Sequence, residues 1–600
     1  MAQISMEIMR PPGSVLGGNQ HVRELLFLLA DRWAEFSQDH RDRLVERILA
    51  GPDKLSHWSG EEYPGIRDEF AARYGRYLEL QGCGRSAEHR ARLVAMIEDI
   101  PGWNDVWATS VVTRRGVHVG WVATDETPDA ILDLPVNEVV ARAKDELERD
   151  FGSLTERRPF SGLVKMKPRK ALSALTLAGK AGEYPQVFWS AMINDLPEDI
   201  PPRLRRVFLQ RLAGLPHSVI IELRHTLAGW LERKLVSVLE FDAGLAWAVY
   251  DHIVDGILSG GVDAAESGLG EVRQGGDIVE QSRRTYEHAI SGSLGGCAEA
   301  LLDVVRGGNP EEGSLVPEYI KTRIERLFAA PREGSDHVVS IVMRELNWLQ
   351  YVDPGWAEER LIPMLAFDHP ASEPAWNGFL CEEQVPRSPL IELIKPLLVD
   401  LFPWIYGFSW HRDRSRVAAQ WLGWMGMFRP DQPGGLTKRE MRTVLRSFSD
   451  KSRNHFISWL GMVGQKNENG WTELVIPFIN EVWPRESRFR TSASMRAWVG
   501  LFDDTGDCFP AVYAAVKRFL APVETNDHPF YRFTREITSE EPITTRFPEA
   551  TLDLMNALTP QVLTQRPYEL QKVLALIAEI DPVLTSDPRY LRLIDLVERS

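Results

Sequence analysis

The chain has 600 residues, 44% of them hydrophobic and 26% charged, a balance that suits a folded chain and excludes a disordered or collagen-like one. Lys and Arg number 69 against 85 Asp and Glu, a formal net charge of −16, and such a negative field disfavours general binding to phosphate backbones. The Arg-rich stretches at 412–416 and 485–490 are the only places where this reading looks for a local basic groove.

Length alone suggests about four domains, unless helix pairs stack into one continuous core, as in repeat proteins. Cys83, Cys297, Cys381 and Cys508 are widely spaced and form no CxxC pair, so a reduced, cytoplasmic chain is expected, with each thiol a small buried or half-buried hydrophobe. Met1 to Arg10 has no basic region followed by an apolar run, and thus no secretory signal. The most apolar stretch, Leu393 to Phe408, is broken by Lys395, Asp400 and Pro403. It falls short of the roughly 20 apolar residues a spanning helix needs, so no membrane association is expected.

Residues 1–20 read as a tail, and from His21 apolar residues recur at helical spacing. Leu25, Leu28, Leu29 and Trp33 predict one helix face, and Leu44, Ile48 and Leu49 a second helix ended by Gly51-Pro52. Between 106 and 123 the β-branched Val106, Val111, Val112, Val117, Val119 and Val122 predict a short β-hairpin insert or an irregular Trp-rich crossover. This N-terminal segment is taken to run over 21–165. Middle helical repeats follow over 166–306, with helices at 168–182, 184–195, 201–213, 216–234 and 236–258 and prolines between them. A loop marked by glycines 256–270 precedes a long helix over 277–306. C-terminal repeats occupy 314–600, in helices near 314–329, 335–350, 356–366, 388–401, 410–428, 436–447, 450–462, 471–482, 492–502, 508–520, 546–558, 566–579 and 586–599. Thr437 and Asp450 are the expected caps of the helices they precede. No exact period recurs, yet paired helices of this length predict an all-α fold, a HEAT-like α-solenoid of antiparallel helix pairs. The alternative is a bundle of two or three all-α domains.

Phosphate-binding GxxxxGK[ST], strand-anchored GxGxxG, HExxH and GxSxG patterns are all missing, so the sequence offers no catalytic, cofactor-binding or metal-ligating residue. The pairs Asp251-His252 with Asp255, Glu287-His288 and Asp368-His369 read as helix-surface polar pairs. The densest aromatic and basic segment runs from Phe402 to Arg429. Within it Val417, Trp421, Met425 and Phe428 form one core-facing stripe. Arg412 and Arg414 lie at the N-terminal end of the predicted helix, where its dipole disfavours cations unless an acidic partner is near. Trp410, His411, Arg412 and Arg414 are therefore the candidate partner-binding edge, since exposed Trp and Arg anchor interfaces. Arg485 and Arg488, after Trp483-Pro484, form a second candidate set.

Segment phrasing adds a resemblance. The runs LLADRWAEFSQDHRDRLVERILAGP, YLELQGCGRSAE, GWVATDETPDAILDLPVNEVV and RRPFSGLVKMKPRKALSAL are followed far downstream by WTELVIPFINEVWPRESRFRTSAS, GDCFPAVYAAVKRFLAPV and LALIAEIDPVLTSDPRYLRLIDL. In this order they resemble the large helical region of uncharacterised function found C-terminal to sirtuin-like domains in bacterial anti-phage proteins, over Glu24 to Leu596. The resemblance implies a defence system in which a sirtuin-like module destroys NAD and the helical module senses infection or holds the assembly. The Gly-Ala-Gly nucleotide loop and catalytic histidine context of a sirtuin are absent here, so no catalytic residue carries over. The expected role is a non-enzymatic, cofactor-free scaffold or sensor subunit. Its partners would be a protein effector (a sirtuin-like NADase, nuclease or helicase), a phage protein, or both. The rival readings are a nucleic-acid-binding subunit of a defence complex and an enzyme whose site assembles from distant residues.

Overall fold

The structure is a computed structural model that describes residues 20–52, 63–111, 123–147, 155–270, 273–274, 277–410, 413–523, 533, 542–563 and 568–599. Helix of all types accounts for 72% of the described residues, with 33 α-helices among them, and the described strands are two or three residues long. The chain is all-α.

Contacts divide it into two units, residues 1–123 with 274–277, and residues 124–273 with 278–600. These divisions differ from those expected near 165 and between 306 and 314. The reason lies in the cores: Ile131 to Val597 share one continuous apolar core, whereas Leu26 to Ala108 form another.

In the first unit the Gln20–Asp31 and Gln38–Ala50 helices carry the predicted apolar spacing. Leu29, Trp33, Leu44, Ile48 and Leu49 are buried, but Leu26 takes the core place expected for Leu28, which is exposed. Gly51 ends the second helix with φ +72°, its N–H bonded to the Ile48 carbonyl at 3.1 Å, a conformation that costs a Cβ-free residue little. Of the β insert expected at 106–123, residues 112–122 lie outside the described residues. Val106 belongs to a helix, Asp105–Thr109, capped by Asn104. The Ala123–Asp125 strand pairs instead with Thr155–Arg157.

The second unit is a HEAT-like stack of helix pairs in two layers. One layer runs through Pro159–Met166, Gln186–Asn194, His217–Phe241, Ser293–Gly307, Glu333–Arg344 and Ser372–Phe379, each packed on the next. The other begins with Val136–Asp145, Pro168–Lys180, Pro202–Leu212 and Ala243–Ser259. Toward the C-terminus the same alternation continues through Ser415–Phe428, Asp450–Lys466 and Ser492–Phe502 on one side. Ile476–Glu481, Phe509–Val516, Pro548–Leu558 and Pro588–Arg599 stack on the other.

Hydrogen bonds between successive pairs reveal the period that the sequence hides. Gln186 to Glu222, Arg233 to Asn194, Lys395 to Gly435, Gln465 to Asp504, Tyr513 to Asp553 and Arg592 to Asn556 all join residues 36 to 40 apart. That is one helix pair per repeat, close to the HEAT length. Trp376, Trp421 and Trp498 are fully buried. Phe379 meets Trp421 edge-on at 5.1 Å and Trp483 meets Trp498 at 4.8 Å, so aromatic wedges cross from one repeat to the next.

Several local expectations change. His217–Phe241 is one helix, and the break falls at Asp242, whose side chain caps the Ala243–Ser259 helix through the Leu245 N–H at 3.2 Å. The long helix expected over 277–306 is two, Tyr286–Ile290 and Ser293–Gly307. Thr437 caps its helix in a reciprocal box with Glu440, as expected, but Ser449 rather than Asp450 caps the next. No described helix is long and apolar enough to cross a membrane.

Candidate functional site

The residues singled out in the sequence do not gather in one place. His411 and Arg412 lie outside the described residues. Trp410 and Arg414 do line one pocket of about 210 Å³, with Tyr406, Phe408, Asp413 and Lys451, and neither Arg485 nor Arg488 is part of its lining.

Both described members of that edge are tied into the fold. Trp410 stacks on Phe408 at 5.0 Å and donates its indole N–H to Glu373 at 3.2 Å. Arg414 is only 13% exposed and pairs with Glu287 at 2.5 Å. The segment before Tyr286 brings these groups together, because its side chains bind two neighbouring helices, Glu333–Arg344 and Ser372–Phe379. Arg283 pairs with Glu333, Arg284 grips Asp336 through two bonds of 2.8 and 2.9 Å, and Ser282 donates to Glu373. Burial alone would raise the Glu333 carboxyl, but the Arg283 guanidinium and the Ser267 N–H outweigh it and hold the group below its usual range. His337, packed behind, is pushed down to about 4 by burial, with Glu333 opposing. The seam is a structural ion network, and its charges are satisfied internally.

Asp413 accepts from the Ser415 N–H at 2.9 Å and pairs with Lys451 at 2.9 Å. Tyr406, Ser452 and Ser415 pass hydroxyl hydrogen bonds along to it. A serine that donates directly to a carboxylate, with no imidazole between, lacks the activating base of a nucleophile. This network caps two helix starts. Several members of the three His–carboxylate pairs are taken up within the fold: Asp251 binds Arg323, Asp255 binds Arg326, Glu287 binds Arg414, His252 meets the Leu215 carbonyl at 2.8 Å and His369 accepts from the Ala371 N–H. Arg485 and Arg488 are exposed, and Arg488 lies over Phe489 at 4.6 Å.

A second surface with cations unpaired among the described residues, and with a concave shape, lies elsewhere. Between the Pro168–Lys180 and Pro202–Leu212 helices is a groove of about 1080 Å³. Its floor is aliphatic, from Val136, Leu172, Leu177, Leu204 and Val207, and its rim carries Lys167, Arg169, Lys170, Lys180, Arg203 and Arg211. Lys170 donates to the Leu132 carbonyl at 2.7 Å, and Lys167 approaches the exposed Asp133 at 3.7 Å, a pairing that water screens. Arg169, Lys180, Arg203 and Arg211 are exposed and have no ion-pair partner among the described residues. Leu177, 42% exposed, also lines a second hollow of about 460 Å³ on the other side of its helix, toward Val140 and Ala141.

Sequence reasoning passed over this groove, although its signal is legible. Residues 157–182 hold seven Lys and Arg and no carboxylate, and 200–221 hold four and none, in a chain of net charge −16. Arg169 and Arg203 sit in the first turns of helices that have no acidic residue there. This is the same mismatch with the helix dipole that drew attention to Arg414. The basic surface is thus at 167–211 rather than confined to 412–416 and 485–490.

No protein-family model matches the chain. It is 21% identical over 335 residues to Uncharacterized protein y4cA of Sinorhizobium fredii, covering 53% of this chain and 26% of that protein. The chain thus spans about a quarter of the length of the curated relative it matches. A solved structure, a circular tandem repeat protein with novel repeat topology and enhanced subunit contact surfaces, aligns over 100% of this chain and 93% of its own at 12% identity. Its TM-score of 0.11 is too low to carry an argument.

Proposed function

We propose that this chain is a non-enzymatic, cytoplasmic helical-repeat protein that holds a protein partner, serving as scaffold or sensor subunit of a bacterial anti-phage defence system. One observation carries the binding role: four exposed cations without ion-pair partners among the described residues, set around an aliphatic groove on an acidic protein. Charges of one sign left unpaired beside apolar surface favour association with a partner of opposite charge. The resemblance to the helical region of sirtuin-linked defence proteins supplies the biological setting, and an effector subunit or a phage protein is the partner it suggests. Turnover of NAD by the chain itself is not part of this reading, because no phosphate-cradling loop is present in the sequence.

Phage challenge of bacteria carrying the chain in its native gene neighbourhood tests the reading. Arg203→Glu combined with Arg211→Glu changes two exposed positions and is expected to abolish protection while protein abundance and melting temperature stay unchanged. Full protection from a stably folded double variant would refute it.

A further inference from the structure

We infer that the groove between the Pro168–Lys180 and Pro202–Leu212 helices takes an acidic amphipathic helix of a partner protein, an inference that rests on the binding role proposed above. The shape fits one helix. The longer wall has 13 residues, so it runs for about 20 Å, the length of about 13 helical residues. Aliphatic side chains along the floor suit Leu, Ile or Met at i, i+3, i+4 and i+7 of an incoming helix. Cations stand on both walls, Arg169 and Lys180 on one and Arg203 and Arg211 on the other. A helix seated between them would meet positive charge along both of its flanks, so the flanks must be acidic.

Two other occupants fit less well. Single-stranded nucleic acid is held by aromatic platforms on which bases stack, and among the described residues no Phe, Tyr, Trp or His lines the groove. A bilayer is met by an apolar face that enters the headgroup plane. Here the aliphatic residues Leu172 and Val207 lie at the floor of a concavity, buried and half-buried, below a charged rim.

The test uses the full chain and fluorescence anisotropy. The probe is a labelled peptide of about 14 residues, enough to fill the groove, with Leu at i, i+3, i+4 and i+7 and Glu on the remaining face. The controls are a scrambled peptide of the same composition, its Lys-for-Glu counterpart, a poly-thymidine single strand and phosphatidylglycerol vesicles. The expected result is binding of the Leu/Glu peptide at least tenfold tighter than the scrambled one, weakened at least tenfold again by Arg203→Glu with Arg211→Glu and by raised salt. Equal binding of the scrambled peptide would overturn the inference, since it would reduce the groove to a diffuse charge. So would DNA or vesicles that bind while the Leu/Glu peptide does not, with binding lost in the variant. That outcome would leave the groove a binding site of another class and remove only the acidic helix. If no probe distinguishes wild type from variant, the inference and the binding role of the groove fall together.

Discussion

Arg414 is joined to Glu287, a residue 127 positions earlier, and is only 13% exposed. An exposed arginine can usually be cut to alanine with little loss, whereas removing one member of a largely buried pair leaves the other charge stranded. Arg414→Ala is therefore expected to lower stability by about 2–4 kcal/mol, discounted because Glu287 remains a quarter exposed. Trp421→Ala, at a fully buried ring, sets the upper end at about 3–5 kcal/mol. Denaturant unfolding of the two variants checks this, and an Arg414→Ala protein as stable as wild type would return the residue to the surface. The sequence made Arg414 conspicuous, because a cation at a helix start needs an explanation. It held no means of finding that the explanation was Glu287, since a contact over that separation follows from how the helices stack. Arg203 poses the same question, and no carboxylate answers it among the described residues.

At the scale of elements, the helices with clear apolar stripes were legible to within a few residues. Ser492–Phe502 coincides with its expected span, and Val417, Trp421 and Met425 are buried as their spacing requires. Ser372–Phe379 was not legible, because seven of its eight residues other than Glu373 are buried and no polar face marks the period. The sequence predicts helix over 277–285, yet Arg283 and Arg284 reach carboxylates on two neighbouring helices and hold it apart. Local propensity yields there to tertiary bonds. The same close layering sets a steric prediction. A Cβ placed on Gly378 would run into the Ser340 carbonyl of the neighbouring Glu333–Arg344 helix. Gly378→Ala, ordinarily a gain of up to about 1 kcal/mol within a helix, is expected to destabilise instead by roughly 1–3 kcal/mol through overpacking. Thermal unfolding decides it, and an unchanged or raised melting temperature would mean the two helices do not approach so closely.

At the scale of the molecule, the all-α class and the paired-helix grammar follow from apolar spacing, proline placement and caps. The repeat of 36 to 40 residues does not, because it is written in cross-repeat hydrogen bonds between unlike residues, such as Gln465 with Asp504 and Arg592 with Asn556. Such a stack offers many surfaces of similar shape, and charge separates them. The seam around Glu333, Asp336 and Glu373 spends its arginines internally, while the 167–211 groove leaves them free for a partner. Hydrogen–deuterium exchange on the chain, alone and bound to the protein encoded beside it, compares these surfaces directly. The account predicts added protection concentrated in the Pro168–Lys180 and Pro202–Leu212 helices, with little change over 413–428 and 483–490. Protection confined to 413–428 or 483–490, with the groove helices unaffected by the partner, would contradict it.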